Sequence, residues 1–299
     1  MTTKTISLRG VFPPIPTPFD GEGQVHLEAL ADNLQRWNGY DLAGYVVLGS
    51  NGEAAYLTEE EKVPVWKAAR SAIPSSKLMI AGTGCESTEG TIHLTALAAD
   101  AGADAALVLT PHYFAGQMTR DSLLRHYRSV ADASPIPVLL YNVPKFTNVD
   151  MDAATIAQAS PHPNIVGIKD SSGNIAKLAD VVRLAEPGFQ VLAGTGGLFF
   201  AGLSLGAVGG VLAVANVAPR ESVELYELYQ AGEWEKAAVL QRRLLPVNAA
   251  VTTRFGVPGL KAALDMLGYY GGPVRPPLLD LGESDRETVR GVLSEAGLL

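Results

Sequence analysis

Short apolar runs alternate along this chain with longer stretches whose apolar residues return every three or four positions. Runs at 44–48, 78–82, 105–110, 138–143, 165–170, 190–193 and 209–215 are too short for stable helices and read as buried strands. Residues 10–19 are also apolar but carry Pro13, Pro14, Pro16 and Pro18, which suits an opening strand with an irregular exit. Between the runs, Leu27, Leu30, Leu34 and Trp37 share one helical face, and similar spacing predicts helices over 87–101, 121–133, 152–159, 175–186 and 198–204. Thr58-Glu59-Glu60-Glu61 is a capping box that opens a further helix, which Pro64 should kink. Gly102 and Pro187-Gly188 mark helix ends.

Eight strands alternating with helices argue for a parallel sheet. A doubly wound sheet competes, but eight units within about 220 residues favour closure into an α/β (β/α)8 TIM barrel. Strands are then absent after Pro219. Segments 221–230, 233–251, 259–267 and 285–296 read as helices, the last opening with a second capping box at Ser284-Asp285-Arg286-Glu287. The expected organisation is a barrel over residues 1–220 and a C-terminal helical region over 221–299.

Composition narrows the function. The chain has 299 residues, 47% hydrophobic, and a net charge of −8, which disfavours nucleic acid or an anionic membrane as partner. Its single cysteine, Cys85, excludes an internal disulfide, and with only five histidines a metal site is not expected. The first ten residues lack the apolar core of a signal peptide, and the longest apolar stretch, 198–217, is interrupted by glycines. A cytoplasmic protein is the expectation.

In a barrel of this type, reacting groups gather at the C-terminal ends of the strands. Those ends carry Thr17, Ser50-Asn51-Gly52-Glu53, Thr83, Thr110-Pro111-His112-Tyr113, Tyr141, Lys169, Thr195 and Ala215-Asn216. Lys169 closes an otherwise apolar strand. Lysine is rarely buried without a purpose, and a desolvated amine is a nucleophile toward a carbonyl. Attack on a 2-oxo acid gives a carbinolamine and then a protonated imine, an electron sink that permits C–C bond making or breaking. Each stage moves a proton, and Tyr141, one strand away, has the donor and acceptor capacity to carry it. Gly49-Ser50-Asn51-Gly52 can present hydroxyl and amide groups to a carboxylate; Tyr113 could extend a proton relay. Glu53 is read as a buried brace for that loop, Cys85 as inert, and His112 as either a substrate contact or a rim residue. The glycines at 194–197 and 206–210 match no phosphate-binding fingerprint and are read as close packing.

Gly49-Ser50-Asn51-Gly52-Glu53, Tyr141-Asn142-Val143-Pro144 and Gly167-Ile168-Lys169-Asp170, in this order and spacing, resemble the dihydrodipicolinate synthase / N-acetylneuraminate lyase family over residues 10–281. The resemblance implies a barrel, usually a homotetramer built as a dimer of dimers, that acts on pyruvate and a small aldehyde or 2-oxo acid through a lysine Schiff base. No cofactor is then required, because the imine is itself the electron sink. It further implies that Lys169 forms the imine, Tyr141 transfers protons, and Ser50 relays protons and binds the carboxylate beside Asn51. Tyr113 corresponds to a relay tyrosine that often crosses a subunit interface, and Leu212 to a residue whose backbone carbonyl faces the site.

The branch is read from finer features. Synthases of the family carry an arginine, two residues after the Tyr-Asn-Val-Pro proline, that binds the carboxylate of aspartate semialdehyde; here that position is Phe146, preceded by Lys145. They also usually have two threonines in place of Ser50-Asn51. The Ser-Asn pair and segments 162–167, 248–256 and 268–273 look more like 4-hydroxy-2-oxoglutarate aldolase, which yields pyruvate and glyoxylate. Phe146 departs from that branch too, where a small polar residue is expected. Cleavage of 4-hydroxy-2-oxoglutarate is therefore the leading expectation. The alternatives are condensation of pyruvate with aspartate semialdehyde, or an aldolase for a 2-keto-3-deoxy acid or an aromatic aldehyde. A non-catalytic ketoacid-binding barrel and a sugar-phosphate enzyme are the outlying readings.

Overall fold

The computed structural model describes residues 6–299. Its strands are β1 (Gly10–Phe12), β2 (Gly44–Val47), β3 (Leu78–Gly82), β4 (Ala105–Leu109), β5 (Val138–Asn142), β6 (Ile165–Asp170), β7 (Gln190–Ala193) and β8 (Gly209–Val211). Every neighbouring pair is parallel, and β1 pairs with β8. The remaining seam, between β1 and β2, is joined by backbone bonds from Ala43 N–H to Val11 O, Val46 N–H to Pro13 O and Ile15 N–H to Val46 O. The prolines of this opening segment cannot donate, so β1 proper is only three residues long. The chain is thus the expected TIM barrel.

Helices α1 (Leu27–Trp37), α2 (Glu59–Ala72), α3 (Thr88–Asp100), α4 (Arg120–Ala133), α5 (Pro144–Thr147), α6 (Ala153–Ala159), α7 (Ile175–Leu184) and α8 (Phe199–Ser204) follow the strands. The capping box of α2 forms, and the helix runs on through Pro64. Beyond the barrel come α9 (Pro219–Gln230), α10 (Trp234–Ala249), α11 (Gly256–Met266) and α12 (Glu283–Glu295). Their buried residues, among them Leu225, Leu244, Leu260 and Val289, join those of α1 and α2 in one apolar core. No helix among the described residues is long and apolar enough to cross a membrane.

Strand alternation sorts the side chains. Leu8, Phe12, Val46, Ile80, Leu107, Leu139, Tyr141, Leu192 and Val211 form one cluster inside the barrel. Val108, Val138, Leu140, Ile168 and Val191 instead meet the helices. Gln190 closes the N-terminal end: its amide accepts from Leu8 N–H (2.7 Å) and donates to Ile6 O (3.0 Å).

Several boundaries differ from the sequence reading. β8 stops at Val211 rather than 215: Leu212 N–H still reaches Phe12 O, but β1 ends there and the chain turns, with Ala215 N–H bonded back to Leu212 O. α12 begins at Glu283, not at the Ser284 box, because Gly282 O takes the N–H groups of both Asp285 and Arg286. α10 ends in a π-helical turn, Ala250–Arg254. α5 has no counterpart in the sequence reading; Pro144 opens this single turn, Val143 O accepts from Phe146 and Thr147, and Asn148 (φ 52°) ends it.

Candidate active site

The site begins with a register shift. Val138 pairs with Ile165, but Leu139 pairs with Gly167, so Val166 is an extra residue on β6. Were Val166 paired in an unbroken register, Ile168 would stand across from Tyr141. With the shift, Tyr141 pairs with Lys169 and both side chains enter the barrel. Gly167 allows the approach: a Cβ there would lie 2.2 Å from Gln190 O on β7.

Lys169 and Tyr141 are each only 4% exposed. Lys169 Nζ sits 3.9 Å from the centre of the Tyr141 ring, a cation–π contact that holds the amine against the phenol. Tyr141 Oη lies 3.2 Å from Ser50 Oγ. Ser50 belongs to a single 3-10 turn, Ser50–Gly52, directly after β2. Thr17 Oγ1 donates to Gly52 O (2.7 Å), anchoring that turn to the first strand's exit. Three strands therefore deliver a line of amine, phenol and hydroxyl. Three more polar groups at the strand ends, Asn51 Nδ2, Thr110 Oγ1 and Asn216 Oδ1, are buried without a partner among the described residues. Buried polar groups are normally satisfied, so these are available to a bound ligand.

Other expected residues fall elsewhere. Tyr113 is 78% exposed, stands edge-on to Phe114 at 5.0 Å, and lies outside the buried group. Its N–H and that of His112 both donate to Glu86 Oε2, while Glu86 Oε1 pairs with the His112 ring at 2.7 Å. Leu212 is buried beside β8, and its carbonyl accepts from Ala215 N–H, leaving one lone pair. Phe146 is 55% exposed on α5; Lys145 Nζ lies 5.5 Å from its ring and donates to Thr252 O of the π turn (3.3 Å). Cys85 Sγ contacts Ser87 O and the Thr91 hydroxyl. Thr83 is spent on Thr95, Thr195 Oγ1 accepts from Gly197 N–H, and Asn216 Nδ2 donates to Pro14 O and Ala213 O, which ties the Asn216 side chain to the exits of the first and last strands. A Cβ at Gly194 would lie 2.5 Å from Asp170 O, in keeping with close packing there.

The Asn142 network and the partner of Glu53 escape the sequence reading, although Glu53 itself is expected there as a buried brace. Behind Lys169, on the outer face of the sheet, Asn142 Nδ2 donates to Asp170 Oδ1 and Asp150 Oδ1 (both 2.8 Å), and its Oδ1 accepts from Met151 N–H (3.0 Å). Lys177 pairs with Asp150 and lies 3.7 Å from Asp170. Ahead of Ser50, Glu53 is buried against Lys261 of α11 at 2.7 Å. The sequence does hold a signal for it: Lys261 is the one charge in the apolar run Gly259-Leu260-Lys261-Ala262-Ala263-Leu264.

Known proteins share the fold and much of the sequence. Residues 7–296 match the dihydrodipicolinate synthetase family. A 4-hydroxy-tetrahydrodipicolinate synthase of Methanothrix thermoacetophila is 38% identical over 288 residues, covering 96% of each chain. Among solved structures, dihydrodipicolinate synthase DapA-2 of Bacillus anthracis superposes with a TM-score of 0.93 at 31% identity, covering 97% of this chain and 99% of its own. The chloride-inhibited dihydrodipicolinate synthase of Acinetobacter baumannii, complexed with pyruvate, gives 0.93 at 31% identity over 98% of this chain and 100% of its own. The chain belongs to the dihydrodipicolinate synthetase family, and is an enzyme of the class I, lysine-dependent lyase type.

Proposed function

We propose that the protein binds pyruvate as an imine on Lys169 and joins it to, or releases it from, a short aldehyde. The observation that carries this reading is the buried Lys169 amine held 3.9 Å from the Tyr141 ring, with Tyr141 Oη 3.2 Å from Ser50 Oγ. In the proposed sequence, the Lys169 amine attacks C2 of pyruvate, and the carbinolamine loses water to give the protonated imine. Removal of a C3 proton leaves an enamine, whose carbon attacks the aldehyde. Water then hydrolyses the new imine and frees Lys169. Tyr141 carries protons in and out through Ser50, and the Ser50–Asn51 turn holds the carboxylate. Tyr113 completes the relay from a second copy of the chain; its exposure and its edge-on contact with Phe114 support a role at such an interface, in keeping with a tetramer.

For the aldehyde, the relatives named 4-hydroxy-tetrahydrodipicolinate synthase support aspartate semialdehyde. Cleavage of 4-hydroxy-2-oxoglutarate, the leading expectation from the sequence, finds no support among the relatives compared. It stays as a second reading on one observation: Phe146 offers no guanidinium for a second carboxylate, and Lys145 is tied to Thr252 O.

The experiment is borohydride reduction with pyruvate, followed by peptide mapping, and then turnover with each aldehyde substrate. A pyruvate adduct on Lys169, absent from Lys169→Ala, is the expected result. No adduct would refute the imine. Given an adduct, condensation with aspartate semialdehyde against pyruvate release from 4-hydroxy-2-oxoglutarate decides between the two substrates.

A further inference from the structure

Glu53 stands in the left-handed region (φ 54°, ψ 30°), uncommon for a residue other than glycine. It is the joint between two single turns, Ser50–Gly52 and Ala54–Tyr56, so its backbone sets the direction in which Ser50 and Asn51 are presented. Both carboxylate oxygens are held by the C-terminal helical region. Oε1 lies 2.7 Å from Lys261 Nζ, and Oε2 accepts from Arg275 N–H at 2.8 Å. Lys261 also donates to Pro273 O (2.7 Å). The Arg275 guanidinium forks onto Glu61, in the capping box of α2, with two bonds of 2.7 Å, and takes Tyr56 O and Gly23 O besides. Lys261 and Arg275 each lie 4.3 Å from the centre of the Phe19 ring.

Burial lowers the pKa of Lys261, and the charge of Glu53 opposes that shift. Hydrocarbon replacements for a buried ion pair are often neutral or stabilising, so stability alone is a weak reason to keep one. What this pair does uniquely is fix a strained joint next to the turn that meets Tyr141. We infer that Glu53 and Lys261 are a positioning pair that holds the Ser50–Asn51 turn at the distance from Tyr141 and Lys169 that pyruvate requires. The C-terminal helices thereby belong to the working site through α11. This inference rests on the pyruvate reading above.

The test uses the whole chain. Glu53→Gln, Lys261→Met and the double variant are compared with wild type for thermal stability, and for the pyruvate concentration that gives half-maximal borohydride trapping on Lys169. Lys261→Met leaves a buried carboxylate unpaired and is the variant most at risk of misfolding. Glu53→Gln keeps an acceptor for Arg275 N–H, and the double variant removes both charges, so each supplies a folded comparison. The expected result is that the folded variants need about 10- to 100-fold more pyruvate, the range for losing one charge-assisted bond to its carboxylate. The double variant should recover thermal stability without recovering affinity. Wild-type pyruvate dependence in the folded variants would overturn the inference alone, leaving a purely structural pair. Failure of wild type to trap pyruvate would sink the pyruvate reading, and the inference with it.

Discussion

Lys169 and Tyr141 are register partners on adjacent parallel strands, and the amine of one rests 3.9 Å from the ring centre of the other. The phenol therefore has two separable jobs. Its ring packs against the amine, and its hydroxyl meets Ser50. Tyr141→Phe keeps the first and deletes the second. Turnover should fall by about 10²–10⁴-fold, the contribution of a positioned acid–base group. Trapping of pyruvate on Lys169 should persist, more slowly, and thermal stability should change little. Steady-state rates beside borohydride trapping check this; unchanged turnover would remove Tyr141 from the proton path.

The outer face of the same two strands carries the Asn142 network, which makes a separate prediction. Asn142→Ala removes two bonds to carboxylates and one from Met151 N–H, leaving Asp170 short of a buried partner. Bonds to charged groups are each worth about 1.5–3 kcal/mol, so a loss of roughly 3 kcal/mol is expected in denaturant unfolding at neutral pH. Asn142→Asp should be worse, because it adds a third carboxylate beside Asp150 and Asp170. A loss near zero for Asn142→Ala would mean that β5 and β6 hold their register without this staple.

The sequence reveals the strands more readily than the contacts between them. Apolar runs bounded by turn residues are local signals, and β3 and β7 fall where those runs place them. Lys169 is legible because a charge at the end of such a run is conspicuous. Its pairing with Tyr141 is not, since that depends on one bulged residue, Val166, that no alternation pattern marks. α5 is invisible for a different reason: four residues hold barely one turn, too few for a helical period to show. The burial of Glu53 is anticipated, but its partner is not, because Lys261 lies far along the chain and only the folded core joins them.

Phe146 gives a prediction about the second substrate alone. If aspartate semialdehyde is the aldehyde, its carboxylate meets no guanidinium at this position in the wild type. Phe146→Arg supplies a planar donor fork where an exposed aromatic now stands. A new charge-assisted bond of about 1.5–3 kcal/mol lowers KM for aspartate semialdehyde by roughly 10- to 100-fold. The pyruvate KM should stay put, since Ser50 and Asn51 are untouched. Initial rates with each substrate varied in turn separate the two constants. An aldehyde lacking that carboxylate should gain nothing, and equal gains for both aldehydes would show that the introduced guanidinium acts through something other than carboxylate recognition.

His126 gives the protein a pH dependence remote from the site. The imidazole is buried on α4, with Nδ1 2.9 Å from the Thr88 hydroxyl and Nε2 without a partner among the described residues. Burial drives its pKa down from 6.5 to about 4. Above pH 6.5 the ring is neutral in both the folded and unfolded chain, and the folded state keeps its full stability. As pH falls below 6.5 the unfolded chain takes up a proton that the folded chain refuses, so stability declines until the folded ring also protonates near pH 4. By pH 5 the loss attributable to this ring is on the order of 2 kcal/mol. His126→Gln keeps a hydrogen-bonding group near Thr88 but has nothing to titrate. Carboxylates are common to both proteins, so their effect cancels in the comparison. The wild-type melting temperature should therefore fall relative to that of His126→Gln by several degrees between about pH 7.5 and pH 5. Parallel melting curves across that window would mean that the folded ring is already charged, and that Nε2 finds an acceptor.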